Sequence, residues 1–278
     1  MRSPAFFVFN KDHLMKKKWL LSGLIVFFLI FSALNTTFVS AQTQTEAPLF
    51  TFVQVSDLHI INGKSTKKIE KAIENINLLD PLPKFIVATG DLINGESPKE
   101  SIELYKELFS ALKCPIYSVL GNHDPRPYFR KIPADYNYSF DVLPYHFVVL
   151  DDVSSGSNGV KFPEYTIEWL EKHMGSVNKK TPIILFAHAS IFRKGAYPDT
   201  MTSDVHNYGP ILEILKPFNV IAWFAGHGHA NSQAEKDGVV YYATGSLSDN
   251  RANSNCQSGY RIVKVFKDRV ETIFVSVK

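Results

Sequence analysis

Five times in this chain a short apolar run breaks off into a turn that carries aspartate, asparagine or histidine. The runs are Val53-Gln54-Val55 before Asp57 and His59, Ile86 to Thr89 before Gly90-Asp91, and Ile116 to Leu120 before Gly121-Asn122-His123-Asp124. Two more follow: Ile183 to Ala187 before His188, and Ala222 to Ala225 before Gly226-His227-Gly228-His229. Short apolar runs bounded by turn residues read as buried strands. In an open α/β sheet the crevice beyond the strand ends is where ligands bind, so the pattern predicts a sheet that gathers these turns along one edge.

The segments between the runs fit that architecture. Ser65 or Thr66 can cap a helix through Ile69, Ala72, Ile73, Ile76 and Leu79, with Pro81 as its stop; Pro98 to Leu112 and Glu164 to Met174 repeat the helical spacing. Tyr138 to Val142 and His146 to Leu150, joined at Pro144, read as a hairpin, and the chain beyond His229 reads as largely β. Periodicity alone supports an α/β fold in one domain from 49 to 278, preceded by a polar linker at 42–48.

The first 41 residues read as targeting rather than fold. Lys16, Lys17 and Lys18 precede an uncharged run from Trp19 to Leu34, and Val39-Ser40-Ala41 supplies small residues for a signal peptidase. The run is shorter than the ~20 apolar residues of a spanning helix, so a secreted or periplasmic protein is expected, with an uncleaved membrane anchor as the alternative. Translation can start at Met1 or Met15. The whole chain carries 30 basic and 27 acidic residues; the segment holds Arg2, Lys11, Lys16, Lys17 and Lys18 against Asp12, so the remainder falls from +3 to −1. No global charge argues for a nucleic-acid partner. Export would permit a disulfide between Cys114 and Cys256, but the two are expected at opposite ends of the sheet, beyond the ~7 Å that a bridge spans, and so free.

Asp57, His59, Asp91, Asn122, His188, His227 and His229 form a metal-ligand composition of imidazoles, carboxylates and a carboxamide without a thiolate, which suits Mn, Fe, Zn or Co in a hydrolytic site. The order D-x-H, G-D, G-N-H-D, a lone His and G-H-x-H resembles the calcineurin-like metallophosphoesterase family. The resemblance implies a four-layer αββα sandwich and two divalent or trivalent ions. It implies that Asp57, His59, Asp91 and His229 hold one ion, and Asp91, Asn122, His188 and His227 the other, with Asp91 as the bridge. It also implies hydrolysis of a phosphomonoester or phosphodiester by a two-metal hydroxide mechanism, with His123 outside the metal shell as the proton donor. Asn94 stands where many relatives carry an aspartate that orients this histidine, and Ala189-Ser190 replaces a common His-Pro.

Arg126 and Arg251, near the presumed site turns, are the candidate phosphate contacts. His13, His146 and His173 are expected to be structural or superficial. The competing readings are a metal-binding scaffold of the same fold without turnover, and a metallonuclease, which the charge balance disfavours.

Overall fold

Alternation along each strand decides the layering. In β1 (Phe50–Val55), Phe50 and Phe52 point to one core while Val53 and Val55 point to another. β2 (Ile86–Thr89) does the same with Val87 against Ile86 and Ala88. Successive strand side chains face opposite ways, so a strand apolar at nearly every position must be covered on both sides.

The computed structural model describes residues 46–95, 97–130, 135–154, 160–194, 201–248 and 257–278. The first 41 residues, Arg251 and Cys256 lie outside them. Ala47–Lys278 cluster as one unit. Cys114 is a free cysteine, and among the described residues no helix is long and apolar enough to cross a membrane.

Two sheets face each other. The first runs β13-β12-β1-β2-β3, with β3 at Ile116–Val119, β12 at Gly259–Val265 and β13 at Val270–Ser276. The second runs β10-β11-β9-β6-β5-β4, comprising Tyr138–Val142 (β4), Tyr145–Val149 (β5), Ile183–Phe186 (β6), Val220–Ala225 (β9), Ser232–Lys236 (β10) and Val239–Ala243 (β11). A two-stranded ribbon, β7 (Arg193–Lys194) and β8 (Met201–Thr202), forms a third sheet beside β10, where the Lys194 amide donates to Ser232 Oγ at 2.9 Å. β1, β2 and β3 are mutually parallel, as are β5, β6, β9 and β11.

Helices close the outer faces. α1 (Lys67–Asn77) and α2 (Pro98–Phe109) bury Ile69, Ile73, Ile76, Ile102 and Phe109 against the first sheet. α3 is the short Arg126–Phe129 turn, while α4 (Glu164–Met174) and α5 (Gly209–Leu215) bury Leu170, Met174, Ile211 and Leu215 against the second sheet. The result is the expected αββα sandwich. Its middle layer is aromatic: Phe52 stacks on Phe85 at 4.8 Å and meets Phe147, Phe186 and Phe224 edge-on at 6.0, 5.8 and 5.4 Å. Burying each such ring contributes about 1.5–3 kcal/mol. This holds the two sheets, and hence their two sets of turns, in one relation.

The predicted helix at Glu164–Met174 and the hairpin strand Tyr138–Val142 are found as expected, with Val142 opposite Tyr145. α2 ends at Phe109 rather than Leu112. The sequence reading overlooked α5 and β10. α5 is only 7 residues long, and β10 has just one fully buried position, Ala234, so neither presents a clear period.

Candidate metal centre

Each of the five turns follows a parallel strand, and the turns are tied to one another before any ligand is considered. The Asp57 and His59 amides donate to the carbonyls of Gly90 (3.1 Å) and Asp91 (2.9 Å), and the Gly226 amide donates to the His188 carbonyl (2.7 Å). Among the described residues seven non-glycine positions have left-handed backbone, and five of them are Asp57, His59, Asp91, His227 and His229. Such conformations cost on the order of 1–3 kcal/mol each and persist where surrounding structure over-determines them, commonly at functional sites.

Two glycines make room for the carboxylates. A Cβ at Gly121 would overlap the Asp91 backbone nitrogen and Oδ1, and one at Gly226 would overlap Ser56 Oγ and crowd Asp57 Oδ2. Close approach, not flexibility, is what glycine provides here.

The predicted ligands come together in two groups that share Asp91. Ligand atoms of Asp57, His59, Asp91 and His229 lie within 4.8 Å of one another, and so do those of Asp91, His188 and His227. Asp91 divides its oxygens: Oδ2 is 3.6 Å from His59 Nε2, and Oδ1 is 3.4 Å from His188 Nε2. Asn122 Oδ1 joins the second group at 2.9 Å from His188 Nε2.

The chemistry of these atoms fits a cation. Asp57 Oδ2 accepts from Ser56 Oγ (2.7 Å) and the His227 amide (3.0 Å), while Oδ1, fully buried, receives no hydrogen bond and lies 3.3 Å from His229 Nε2. His188 Nδ1 donates to the Thr89 carbonyl at 2.9 Å, which turns Nε2 toward the site, an arrangement typical of metal-bound imidazoles. Burial depresses His59 and His227 as bases, so both are held as neutral imidazoles with a lone pair to offer. Burial opposes charge on Asp91, but His188 and His59 outweigh it and hold the carboxyl well below its usual range. Burial likewise opposes charge on His188, yet the Asp91 and Asp57 carboxylates raise it well above the ordinary histidine value. The site concentrates negative charge in a buried place, and a cation would neutralise it.

His123 stands beside this centre. Its amide donates to Asp91 Oδ1 at 2.8 Å, its ring meets that of His59 edge-on at 5.0 Å, and Nδ1 is 3.2 Å from Asn94 Oδ1. Asn94 thus occupies the orienting position, as an acceptor without charge.

The structure shows what engages Arg126 and adds residues that pattern reading missed. Arg126 is already engaged: its guanidinium spans buried Asp151 at 2.8 and 3.2 Å, also donates to Tyr165 and the Val153 carbonyl, and lies 4.7 Å over the Tyr136 ring. These contacts brace the loop after β5. Asp152 receives the His188 and Ala189 amides at 3.2 and 2.7 Å, and Asp124 receives the Ile93 and Gly121 amides at 3.0 and 2.8 Å. Burial pushes both carboxyls up to about 7. Each pins a ligand turn through backbone. An acidic residue after a strand is the only signal the sequence offered, and it does not distinguish a ligand from a brace.

The sequence profile described as calcineurin-like phosphoesterase matches residues 50–231. The probable glycerophosphodiester phosphodiesterase GpdQ of Arcobacter nitrofigilis is 31% identical over 70% of this chain and 78% of its own length. A serine/threonine-protein phosphatase of Mus musculus is 28% identical over 61% of each chain. A dimetal phosphatase from Danio rerio shares the fold, with a TM-score of 0.63 at 16% identity over 84% of this chain and all of that one. By the extent of the profile match and of the first of these relatives, the chain belongs to the calcineurin-like phosphoesterases, a family of hydrolases.

Proposed function

We propose that this enzyme is an exported two-metal phosphodiesterase that acts on small soluble phosphodiesters. The observation that carries the reading is the division of Asp91, one oxygen toward each ligand group, because a single carboxylate so arranged can serve two cations at once. Asp57, His59, Asp91 and His229 would hold one ion, and Asp91, Asn122, His188 and His227 the other. Ions of this class, when bound, supply Lewis-acid polarisation of the phosphoryl group and acidify a water.

The protein's own part is positioning and proton handling. The braces at Asp124 and Asp152 keep the ligand turns in register. His123 Nδ1–H donates to Asn94 Oδ1, which leaves Nε2 as the ring nitrogen that can carry a proton to the departing alkoxide. No serine or cysteine nucleophile is required. The preference for diesters draws support from the 31% identical relative named for glycerophosphodiesters. Export draws support from Lys16 to Lys18, the apolar run and Val39-Ser40-Ala41.

The test is a substrate panel of glycerophosphodiesters, cyclic nucleotides and phosphomonoesters, run on protein reconstituted separately with Mn, Fe, Zn and Co. A diester should be the best substrate with at least one metal. Faster monoester turnover with every metal would overturn the diester assignment. Sequencing the N-terminus of exported protein tests the other half: a mature chain that begins before Trp19 would overturn cleavage.

A further inference from the structure

Beneath the metal centre a line of polar side chains runs through the middle of the sandwich, where the surroundings are otherwise aromatic. It begins at Arg261 on β12. Arg261 Nε donates to Thr244 Oγ1 (2.9 Å), and Thr244 Oγ1 donates to Gln54 Oε1 (2.6 Å). Gln54 Nε2 donates to Thr89 Oγ1 (3.0 Å), Thr89 Oγ1 to Ser56 Oγ (2.8 Å), and Ser56 Oγ to Asp57 Oδ2 (2.7 Å). Gln54, Ser56, Asp57, Thr89 and Thr244 are completely buried, and Arg261 is 6% exposed.

Donor chemistry sets the direction of this line from Arg261 to Gln54, and the carboxylate of Asp57 draws it on from there. A guanidinium has donors only, so the Thr244 oxygen must accept from it and send its single proton onward. Gln54 must then present Oε1 to Thr244 and its NH2 to Thr89, an orientation the Ala225 carbonyl reinforces by accepting from Nε2 at 3.0 Å. Thr89, having accepted, has its proton free for Ser56. A cation at one end and a carboxylate at the other polarise every bond in the same sense, and aligned chains of this kind strengthen cooperatively in a low dielectric. Burial pulls the Arg261 guanidinium down to about 10, which still leaves it charged at neutral pH. Among the described residues no carboxylate pairs with it; its other donors go to Thr272 Oγ1, the Ala243 carbonyl and Asn231 Oδ1.

We propose that Arg261 is a positioning residue for the metal centre: through Thr244, Gln54, Thr89 and Ser56 it fixes a hydrogen bond on Asp57 Oδ2 and thereby aims Oδ1 at the cation. The two hydroxyls nearest the site show what the relay prevents. Ser56 Oγ has a second acceptor in the Thr89 carbonyl at 3.2 Å, and Thr89 Oγ1 has one in the Val55 carbonyl at 3.3 Å. Loss of the upstream donor weakens the polarisation of both hydroxyls, which shifts their protons toward these backbone acceptors and loosens the hold on Asp57 Oδ2. The relay rests on the reading of Asp57 as a ligand, but it adds a determinant on the far side of the first sheet's β1, remote from any substrate.

The test is calorimetric titration of Mn2+ into the full chain after chelator stripping, for wild type, Arg261→Met, Thr244→Val and Arg261→Lys, with urea unfolding in chelator as the stability control. Thr244→Val is nearly isosteric and interrupts the relay while sparing the other Arg261 contacts. Wild type should bind two ions. Arg261→Met and Thr244→Val should each weaken one of the two by about 10-fold and leave the other unchanged, the range seen when a partner behind a ligand is lost. Arg261→Lys, which also donates and cannot accept, should recover part of the loss. Folded variants with wild-type Mn2+ constants, however much less stable in urea, would overturn the relay and leave Arg261 as a packing residue. Weakening in Arg261→Met but not in Thr244→Val would overturn it too. If Arg261→Met fails to fold, Thr244→Val decides alone. A wild type that takes up no Mn2+ or any other divalent ion would instead remove the two-metal reading, and the relay with it.

Discussion

Among the described residues two histidine clusters stand out, and their geometry separates a candidate ligand set from a second pair on the outer side of the sandwich. At the strand ends, His59 Nε2 and His229 Nε2 are 3.1 Å apart with ring centroids at 5.0 Å, and His188 Nε2 and His227 Nδ1 are 3.2 Å apart with centroids also at 5.0 Å. On the outer side of the second sheet, His146 Nε2 and His173 Nε2 are closer, 2.9 Å, yet their centroids are farther apart, 5.1 Å. Nearer nitrogens with more distant rings mean that His146 and His173 point almost directly at one another, as in a hydrogen bond. The rings of the other two pairs are not in line with the nitrogen–nitrogen axis, and each pair has carboxylate oxygens beside it. Asp141 Oδ1, 2.6 Å from His146 Nδ1, accepts a hydrogen bond from it and ties the pair to a carboxylate. Trp169 stacks on His173 at 4.7 Å. Residue type does not make a metal site; the direction of the lone pairs does.

The largest effect that would sharpen this contrast is at Asp91. Asp91→Ala should lower turnover by on the order of 10³-fold or more and remove both ions, since several kcal/mol of transition-state stabilisation depend on them. Metal analysis of the purified variant checks this, and two retained ions would break the bridging assignment. His173→Ala should retain both ions and full turnover, whereas metal loss there would erase the distinction between the clusters.

Next in size is His123→Ala. General-acid help is worth about 10²- to 10⁴-fold, and it matters most when the leaving group is a poor one. Esters with alkyl leaving groups should therefore suffer far more than nitrophenyl esters, with metal content unchanged. Equal losses on both substrates would remove the proton-donor role.

Metal removal comes third. If the strand-end cluster binds only in the folded state, Mn2+ at 100 times the Kd of each site should raise unfolding free energy by about 2.7 kcal/mol per ion over chelator-treated protein. Denaturant curves with and without chelator read this directly. Asp91→Ala should show no such gain, and a wild type equally insensitive to metal would argue against a preformed centre.

The smallest effect belongs to the second cluster. Burial, with His146 beside it, lowers the His173 pKa, while Asp141 works in the opposite sense. Below the unfolded value of about 6.5 the unfolded chain takes up a proton that folded His173 resists, so stability is full above that pH and declines as pH falls. His173→Ala should cost on the order of 1 kcal/mol at neutral pH and flatten the acid limb of stability against pH. An acid limb as steep as wild type's would show that the pair does not contribute to it.

Much of the site was legible because ligand type and strand-end position are local properties. Asp57-x-His59 and Gly226-His227-x-His229 sit in the chain beside the apolar runs that deliver them, and no long-range fact is needed to read them. Asp124 and Asp152 look just as ligand-like in sequence, yet they spend their oxygens on the amides of Gly121, Ile93, His188 and Ala189. Nothing in the sequence near Arg126 shows that Asp151, in the loop just past β5, lies across its guanidinium.

By itself, then, the sequence determined which chemical groups lie at the strand ends, since alternation and turn chemistry act over a few residues. Only the tertiary structure decided which oxygen of Asp91 serves which group, which cation is already engaged, and that Arg261 connects to Asp57 from 204 positions away in the chain. Those outcomes depend on two sheets meeting across an aromatic layer, and the relative placement of non-neighbouring strands is not encoded in any one stretch of residues.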